Sequence, residues 1–303
     1  MSPEIREYEP LARYVGWRIG GPARYFGVAT RATEVAELVQ WARPRDLPVF
    51  ILGGGTNILI ADAGYPGLVI RNRAMGTRIE EAGEEVTLVA ESGAPMAGTA
   101  RRVAAQGYGG LTWAEGLPGT IGGAIYGNGG CYGGDLATNL VSATILLPEG
   151  TIEEWTQERF RYGYRTSTLK HAGSAPDDRS GSRRAIVLEG RLRLQREDSE
   201  KLAQEMAAIA SERRSKTPSG SSCGSSFKNP PGTSAGRLLD QAGLKGTRVG
   251  GAVVAERHAN YIVNDGGATA ADVLRLTAIM RERVLRELGI ELELEVQLVG
   301  DFG

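Results

Sequence analysis

Reactive side chains are scarce in this chain: its 303 residues include two cysteines and two histidines. Cys131 and Cys223 stand far apart, as do His171 and His258, and none keeps metal-ligand spacing. A disulfide framework is thereby excluded, and a structural zinc site, which takes four such ligands at close range, is not expected. So few cysteines fit a reducing cytoplasm. Long apolar runs are missing as well: nothing approaches the about 20 residues that a membrane helix requires. Met1 to Glu7 carries acids where a leader peptide has a basic start and an apolar core. Neither a leader nor a membrane partner is expected. Charge of one sign is also lacking, with 35 Lys and Arg against 36 Asp and Glu. No global field therefore draws in nucleic acid or an anionic membrane. An anionic ligand has to be held by a local cluster of Arg, Lys or backbone amides. Lysine is the rarer cation, at 5 residues against 30 arginines, so a lysine inside a motif is informative.

Glycine, by contrast, is plentiful at 43 residues and sits in short loops between apolar segments. Val35, Leu38, Val39 and Ala42 recur at helical spacing over 33–42, and Pro44 closes that helix. Strands are expected at 48–52, 67–70 and 86–89, a helix at 96–106, and a hairpin joining 143–147 to 151–155. The stretch 172–184 is Gly, Ser, Asp and Arg without periodicity, a surface loop. Two strands, 185–188 and 192–194, close the first part of the chain. A helix over 197–214 and another from Thr269, capped by Asp272 and ended by Gly289, belong to the second part. The expected boundary lies at residue 197. It separates 1–196, itself divided near 65, from 197–303.

Two glycine segments carry chemistry. Gly53, Gly54 and Gly55, followed by Thr56 and Asn57, come directly after a strand. Gly116, Pro118, Gly119, Thr120, Gly122, Gly123 and Ala124 form the second, with Asn128 close behind. Glycine lets backbone N–H groups converge on phosphate oxygens with no Cβ in the way. Thr56, Asn57, Thr120 and Asn128 would add side-chain donors at the rim. A phosphate loop of the Gly-x-x-x-x-Gly-Lys-Ser/Thr kind is absent, and Ile58 stands where the third glycine of Gly-x-Gly-x-x-Gly belongs. One such loop is more often a plain turn; two, both after strands and both edged by Thr and Asn, favour a dinucleotide.

Segments 51–57, Glu91-Ser92-Gly93 and 116–124 resemble the FAD-binding domain of the vanillyl-alcohol-oxidase type. Within that fold, nearly the whole chain resembles the UDP-N-acetylenolpyruvoylglucosamine reductase family. Trp17 to Ala23 is similar to its N-terminal Gly-Gly segment. Tyr164-Arg165-Thr166-Ser167 resembles its Tyr-Arg-x-Ser motif, and 224–230 its Gly-Ser-x-Phe-Lys-Asn-Pro motif. The segments 241–246, 258–264 and 292–296 are similar to three further signatures.

The resemblance implies an α+β chain: an FAD-binding domain of two α+β subdomains, then an α+β substrate-binding domain. It implies non-covalent FAD, NADPH as donor, and a UDP-sugar enolpyruvyl ether as acceptor in peptidoglycan precursor synthesis, with no obligate protein partner. Arg165, Ser225 and Glu295 become the catalytic residues, and Ser92 joins the glycine segments as a cofactor contact. Tyr164, Lys228, Asn229, Gln241, Lys245, His258 and Asn260 become substrate contacts. Each has a plainer reading. Ser225 lies among other serines, with Ser226 beside it as an alternative; Glu295 alternates with Glu291 and Glu293 as on an edge strand; His258 could be a core residue. Only their joint order argues for a site. Leu294 stands where the family has proline, and Ala255 where it commonly has serine. The stretch 172–184 has no tyrosine to close over substrate, which fits the family's shorter form. Another non-covalent FAD oxidase or dehydrogenase of the same fold is the alternative, and a non-catalytic nucleotide-binding protein is the rival outside enzymes.

Overall fold

The computed structural model describes residues 4–172 and 184–302, so the expected loop at 172–184 lies, but for its ends, outside the described residues. The chain forms two compact units, and each is assembled from several stretches of sequence. The first comprises Met1–Glu7, Tyr25–Gly54 and Gly67–Arg214; the second comprises Tyr8–Arg24, Gly55–Pro66 and Ser215–Gly303. The single cut expected at 197 is therefore corrected. The helix Ser199–Lys216 buries Leu202 and Met206 in the first unit's core, so the chain leaves that unit only after the helix.

In the first unit the strands run in the order Ile152–Thr156, Leu140–Leu146, Ile186–Arg196, Glu85–Glu91, Thr77–Ala82, each pair antiparallel. The two strands expected at 185–188 and 192–194 are one continuous strand. Gly190, between the two expected strands, stays in the ladder opposite Ala143 and Ala90, with the side chain of Ile125 packed against it. A second, four-stranded sheet contains the parallel pair Val49–Leu52 with Tyr65–Asn72, covered by the helix Ala32–Ala42. Its buried face is the expected one, Val35, Leu38, Val39 and Ala42, packed with Leu68 and Ile70. The Glu91 carboxylate accepts from Ala32 N at this helix's first turn and from Gly76 N, satisfying two backbone donors at once.

The second unit packs the helix Ala270–Leu288 on a short antiparallel sheet of Arg248–Val249, Ala252–Val254 and Ile262–Asn264. The capping box of Thr269 and Asp272 forms as expected, and Gly289 ends the helix in the left-handed region at φ 68°. Two early stretches complete this core. Trp17, 1% exposed, donates its indole N–H to Ile262 O at 2.7 Å. Strand Ile58–Ile60 pairs in parallel with Gln297–Val299. Nearby, Asp62 accepts from Ala270 N and Ala271 N at 2.8 and 3.0 Å, adding a second cap to the long helix.

Because the donors at a helix start have no partner within the helix, Asp62→Ala should lower stability by about 1 kcal/mol. Thermal unfolding should show the midpoint falling by about 2–4 °C, with Asp62→Asn falling less.

Candidate active site

In the first unit the two glycine segments meet. A Cβ on Gly54 would come 2.8 Å from Gly119 Cα, and one on Gly53 would come 2.8 Å from Thr120 Oγ1. Backbone lies against backbone, so only glycine permits the approach. Residues 121–127, read from the sequence as loop, form a short helix whose N-cap is Thr120; the Thr120 hydroxyl accepts from Gly123 N. Gly122 is close-packed in this helix, since a Cβ there would lie 2.6 Å from Ser92 Cβ. Gly54, Pro118 and Gly123 are exposed along one lip, while Gly116 and Ala124 are buried. The first glycine segment also marks where the chain changes unit: Gly53 and Gly54 belong to the first, and Gly55, Thr56 and Asn57 to the second. Gly55 packs within its own unit, at φ 63° against Tyr14 O.

Three expected contacts also bond the scaffold. Ser92 is 2% exposed, and its hydroxyl accepts from Asn72 Nδ2. Asn128 is 4% exposed; its amide donates to Gly163 O and Asp135 Oδ2 and accepts from Ala137 N. A buried amide with both N–H donors used has no side-chain donor left for a cofactor, which bears against its reading as a rim donor. Asn57 Nδ2 donates to Glu295 O, and Asn57 O accepts from Gln297 N.

The Asn128 turn also builds the Arg165 site. Gly163 and Thr166 exchange N–H to O bonds at 3.3 Å, leaving Tyr164 and Arg165 at the tip of a two-residue turn. Arg165 sits in the left-handed region at φ 56°, which costs a residue with a Cβ about 1 kcal/mol. Its guanidinium is held from the second glycine segment, donating to Gly130 O at 2.6 Å and Asn128 O at 3.4 Å. Ser167 ties the turn down through Tyr126 O at 2.6 Å. Tyr164 is 54% exposed, its ring 5.3 Å from the Arg165 guanidinium.

In the second unit a backbone ladder brings Ser225 and Glu295 onto adjacent segments. Phe227 pairs with Leu294, Glu295 N donates to Ser226 O, and Lys228 N donates to Glu293 O. Asn260, 2% exposed, clamps the first segment: its Oδ1 accepts from Phe227 N and its Nδ2 donates to Phe227 O, so the side chain acts as one more strand. Its reading as a substrate contact is corrected accordingly. Ser225 is half-buried beside Tyr261, whereas Ser226 is fully buried, its hydroxyl without a hydrogen-bond partner among the described residues. Accessibility favours Ser225 of the two. Lys228 pairs with Glu293 and Lys245 with Asp240, while Asn229 Oδ1 accepts from Ala235 N and Gln241 is exposed at a helix end. His258 stacks on Tyr261 with Nδ1 accepting from Asn260 N. Burial first, then the charges of Lys245 and Lys216, lower its pKa below the ordinary 6.5. Cys223 is buried under Gly55 O and Ile58 O, and burial pushes its thiol up to about 11, which makes it inert. Among the described residues no group of three or more His, Cys, Asp or Glu could hold a metal ion, and no helix is long and apolar enough to cross a membrane.

Comparison with known proteins points to one family. Residues 23–156 match the profile described as FAD binding domain, and residues 215–299 that of the UDP-N-acetylenolpyruvoylglucosamine reductase C-terminal domain. The chain is 49% identical to the UDP-N-acetylenolpyruvoylglucosamine reductase of Chloroflexus aggregans over 297 residues, 97% of each chain. To that of Bacillus subtilis it is 36% identical, covering 96% of this chain and 93% of the other. The crystal structure of the Thermus caldophilus UDP-N-acetylenolpyruvylglucosamine reductase superposes with a TM-score of 0.78 at 32% identity over 98% of both chains.

The second unit yields two expected outcomes. Asn260→Ala orphans a buried N–H and C=O, and chemical denaturation should show a loss of about 2–4 kcal/mol. For His258, whose folded pKa is depressed, the unfolded chain binds its proton first as pH falls. Stability is therefore full above pH 6.5 and declines below it; in His258→Gln that part of the pH dependence should flatten.

Proposed function

This chain belongs to the UDP-N-acetylenolpyruvoylglucosamine reductase family, and from that premise we infer that it reduces the enolpyruvyl ether of UDP-N-acetylglucosamine to UDP-N-acetylmuramate with NADPH. The near full-length likeness to named reductases carries this reading. We read it as a cytoplasmic enzyme of peptidoglycan precursor synthesis that needs no nucleic acid, membrane or obligate protein partner.

The fit to FAD rests on the cradle, where a Cβ on Gly53 or Gly54 would fill the space at Thr120 and Gly119. Gly53, Gly54, Pro118, Gly119, Thr120 and Gly123 would hold the diphosphate, with Thr56 following on the same segment. The group is held non-covalently. When bound, FAD would supply the redox chemistry, the relay of hydride from NADPH to C3 of the enolpyruvyl ether.

The protein's own work is on the charge and the proton. Hydride arrival at C3 leaves negative charge at C2, spread into the substrate carboxylate. Arg165, already fixed by two carbonyls, offers a rigid fork to that carboxylate and spends no reorganisation when charge develops. Glu295, half-buried on the ladder, donates a hydrogen bond to the same developing charge when protonated. Ser225 gives its proton to C2, completing addition of hydride and proton across the double bond. Lys228, within the same motif, supports the serine. Tyr164, Asn229, Gln241, Lys245 and His258 are assigned to holding the UDP-sugar.

The test is the visible spectrum of the purified protein under exclusion of oxygen. NADPH should bleach the flavin and the enolpyruvyl UDP-sugar should restore it. Recovery that fails would sink the acceptor assignment while leaving the flavin in place. In Ser225→Ala bleaching should persist and recovery slow by orders of magnitude; an unimpaired variant would remove the serine from its role.

A further inference from the structure

Lys170 is one of five lysines, and the sequence offers no motif reason for it. It lies half-buried in the short helix Thr168–Ala172, and its Nζ donates to the main-chain oxygen of Arg165 at 3.0 Å. That oxygen belongs to the residue whose backbone is in the left-handed region at φ 56°. Besides the Gly163–Thr166 main-chain bonds and the Ser167 tie, three side-chain contacts restrain the turn. Asn128 Nδ2 holds Gly163 O before the tip, the carbonyls of Asn128 and Gly130 hold the guanidinium, and Lys170 holds the carbonyl of Arg165. Of these three, the last acts on the peptide plane that follows the strained bond, alongside the main-chain bond from Thr166 N to Gly163 O. Relaxing φ of Arg165 toward the ordinary α or β region would rotate that carbonyl away from Nζ, so the ammonium opposes the relaxation through a charge-assisted bond. A rotation of this kind would also swing the Arg165 side chain off the carbonyls that aim it.

We propose that Lys170 is a positioning residue for Arg165: its ammonium locks the strained turn that presents the guanidinium to the substrate carboxylate. The proposal rests on the role given to Arg165 above. Lys170 touches neither substrate nor flavin in this scheme, and it moves no proton. Its effect falls on the half-reaction that needs Arg165, the reoxidation of the flavin by the enolpyruvyl UDP-sugar, and not on reduction by NADPH. A misaimed fork loses transition-state contacts far out of proportion to the displacement.

Rapid-mixing absorbance under exclusion of oxygen separates the two half-reactions. In Lys170→Met, flavin reduction by NADPH should stay within about twofold of wild type, while reoxidation by the UDP-sugar should slow about 10-fold or more. Lys170→Arg, which reaches the same carbonyl with another cation, should recover most of that rate. The decisive comparison is the double variant: with Arg165→Met already present, adding Lys170→Met should cost nothing further, because both act through one group. Additive losses, an equal fall in both half-reactions, loss of bound flavin in Lys170→Met, or a wild-type rate in that variant each overturns the proposal. A harmless Arg165→Met overturns it too. Wild-type enzyme that the UDP-sugar fails to reoxidise would instead refute the function assigned above, so the two failures are told apart.

Discussion

The contact that the first unit's site depends on is one between two backbones. Gly54 and Gly119 approach so closely that a single methyl group on Gly54 would prise the segments apart. From that contact the chain runs through Thr120 into a helix of about two turns, then into the Asn128 turn whose carbonyls hold Arg165. The cradle and the cationic side chain are thus two ends of one short run of sequence. A shift at the glycines would propagate to the guanidinium, because each step between them is a backbone hydrogen bond or a buried amide with no slack.

Asparagine is the material of this arrangement. The chain has seven, and every one bonds main-chain groups. Irregular backbone cannot satisfy its own N–H and C=O groups, and a short amide carrying both a donor and an acceptor substitutes for the missing strand or turn. Asn260 does this for the serine segment and Asn128 for the arginine turn. Glu91 and Asp62 do the same for helix starts with carboxylates. The groups proposed as catalytic are carried on irregular segments, so rigidity has to come from these buried surrogates and not from long ladders.

That is also where reading the sequence succeeded and where it stopped. Periodicity located the helices at 32–42, 96–104 and 270–288 closely, because each has an apolar stripe and identifiable ends. The motifs brought out Arg165, Ser225 and Glu295, and Ser225 and Glu295 do share one ladder. Asn128 and Ser92, beside glycines, and Asn260, within a signature segment, read as ligand contacts in sequence, and in the fold all three are buried and bond scaffold groups. A polar residue in such a segment looks the same in sequence whether it faces a ligand or its own backbone. The helix at 121–127 was hidden because its glycines lower helix propensity, while the reason for them, close packing on Ser92, is a tertiary fact. Lys170 was invisible for a like reason: its partner is a carbonyl, and no side-chain pattern records it.

The threading of the second unit bears on how the polypeptide comes off the ribosome. Trp17 closes a bond to Ile262 across 245 residues, and Asp62 caps a helix that begins 208 residues later. Until residues 262–299 are translated, these early segments lack the core they join, and their apolar side chains are candidates for chaperones or for wrong partners. Contacts of such long range slow the search for the native state. The first unit, whose strands lie within residues emerging earlier, can condense meanwhile and tether both loose stretches at fixed points, shortening the loops that final assembly has to close.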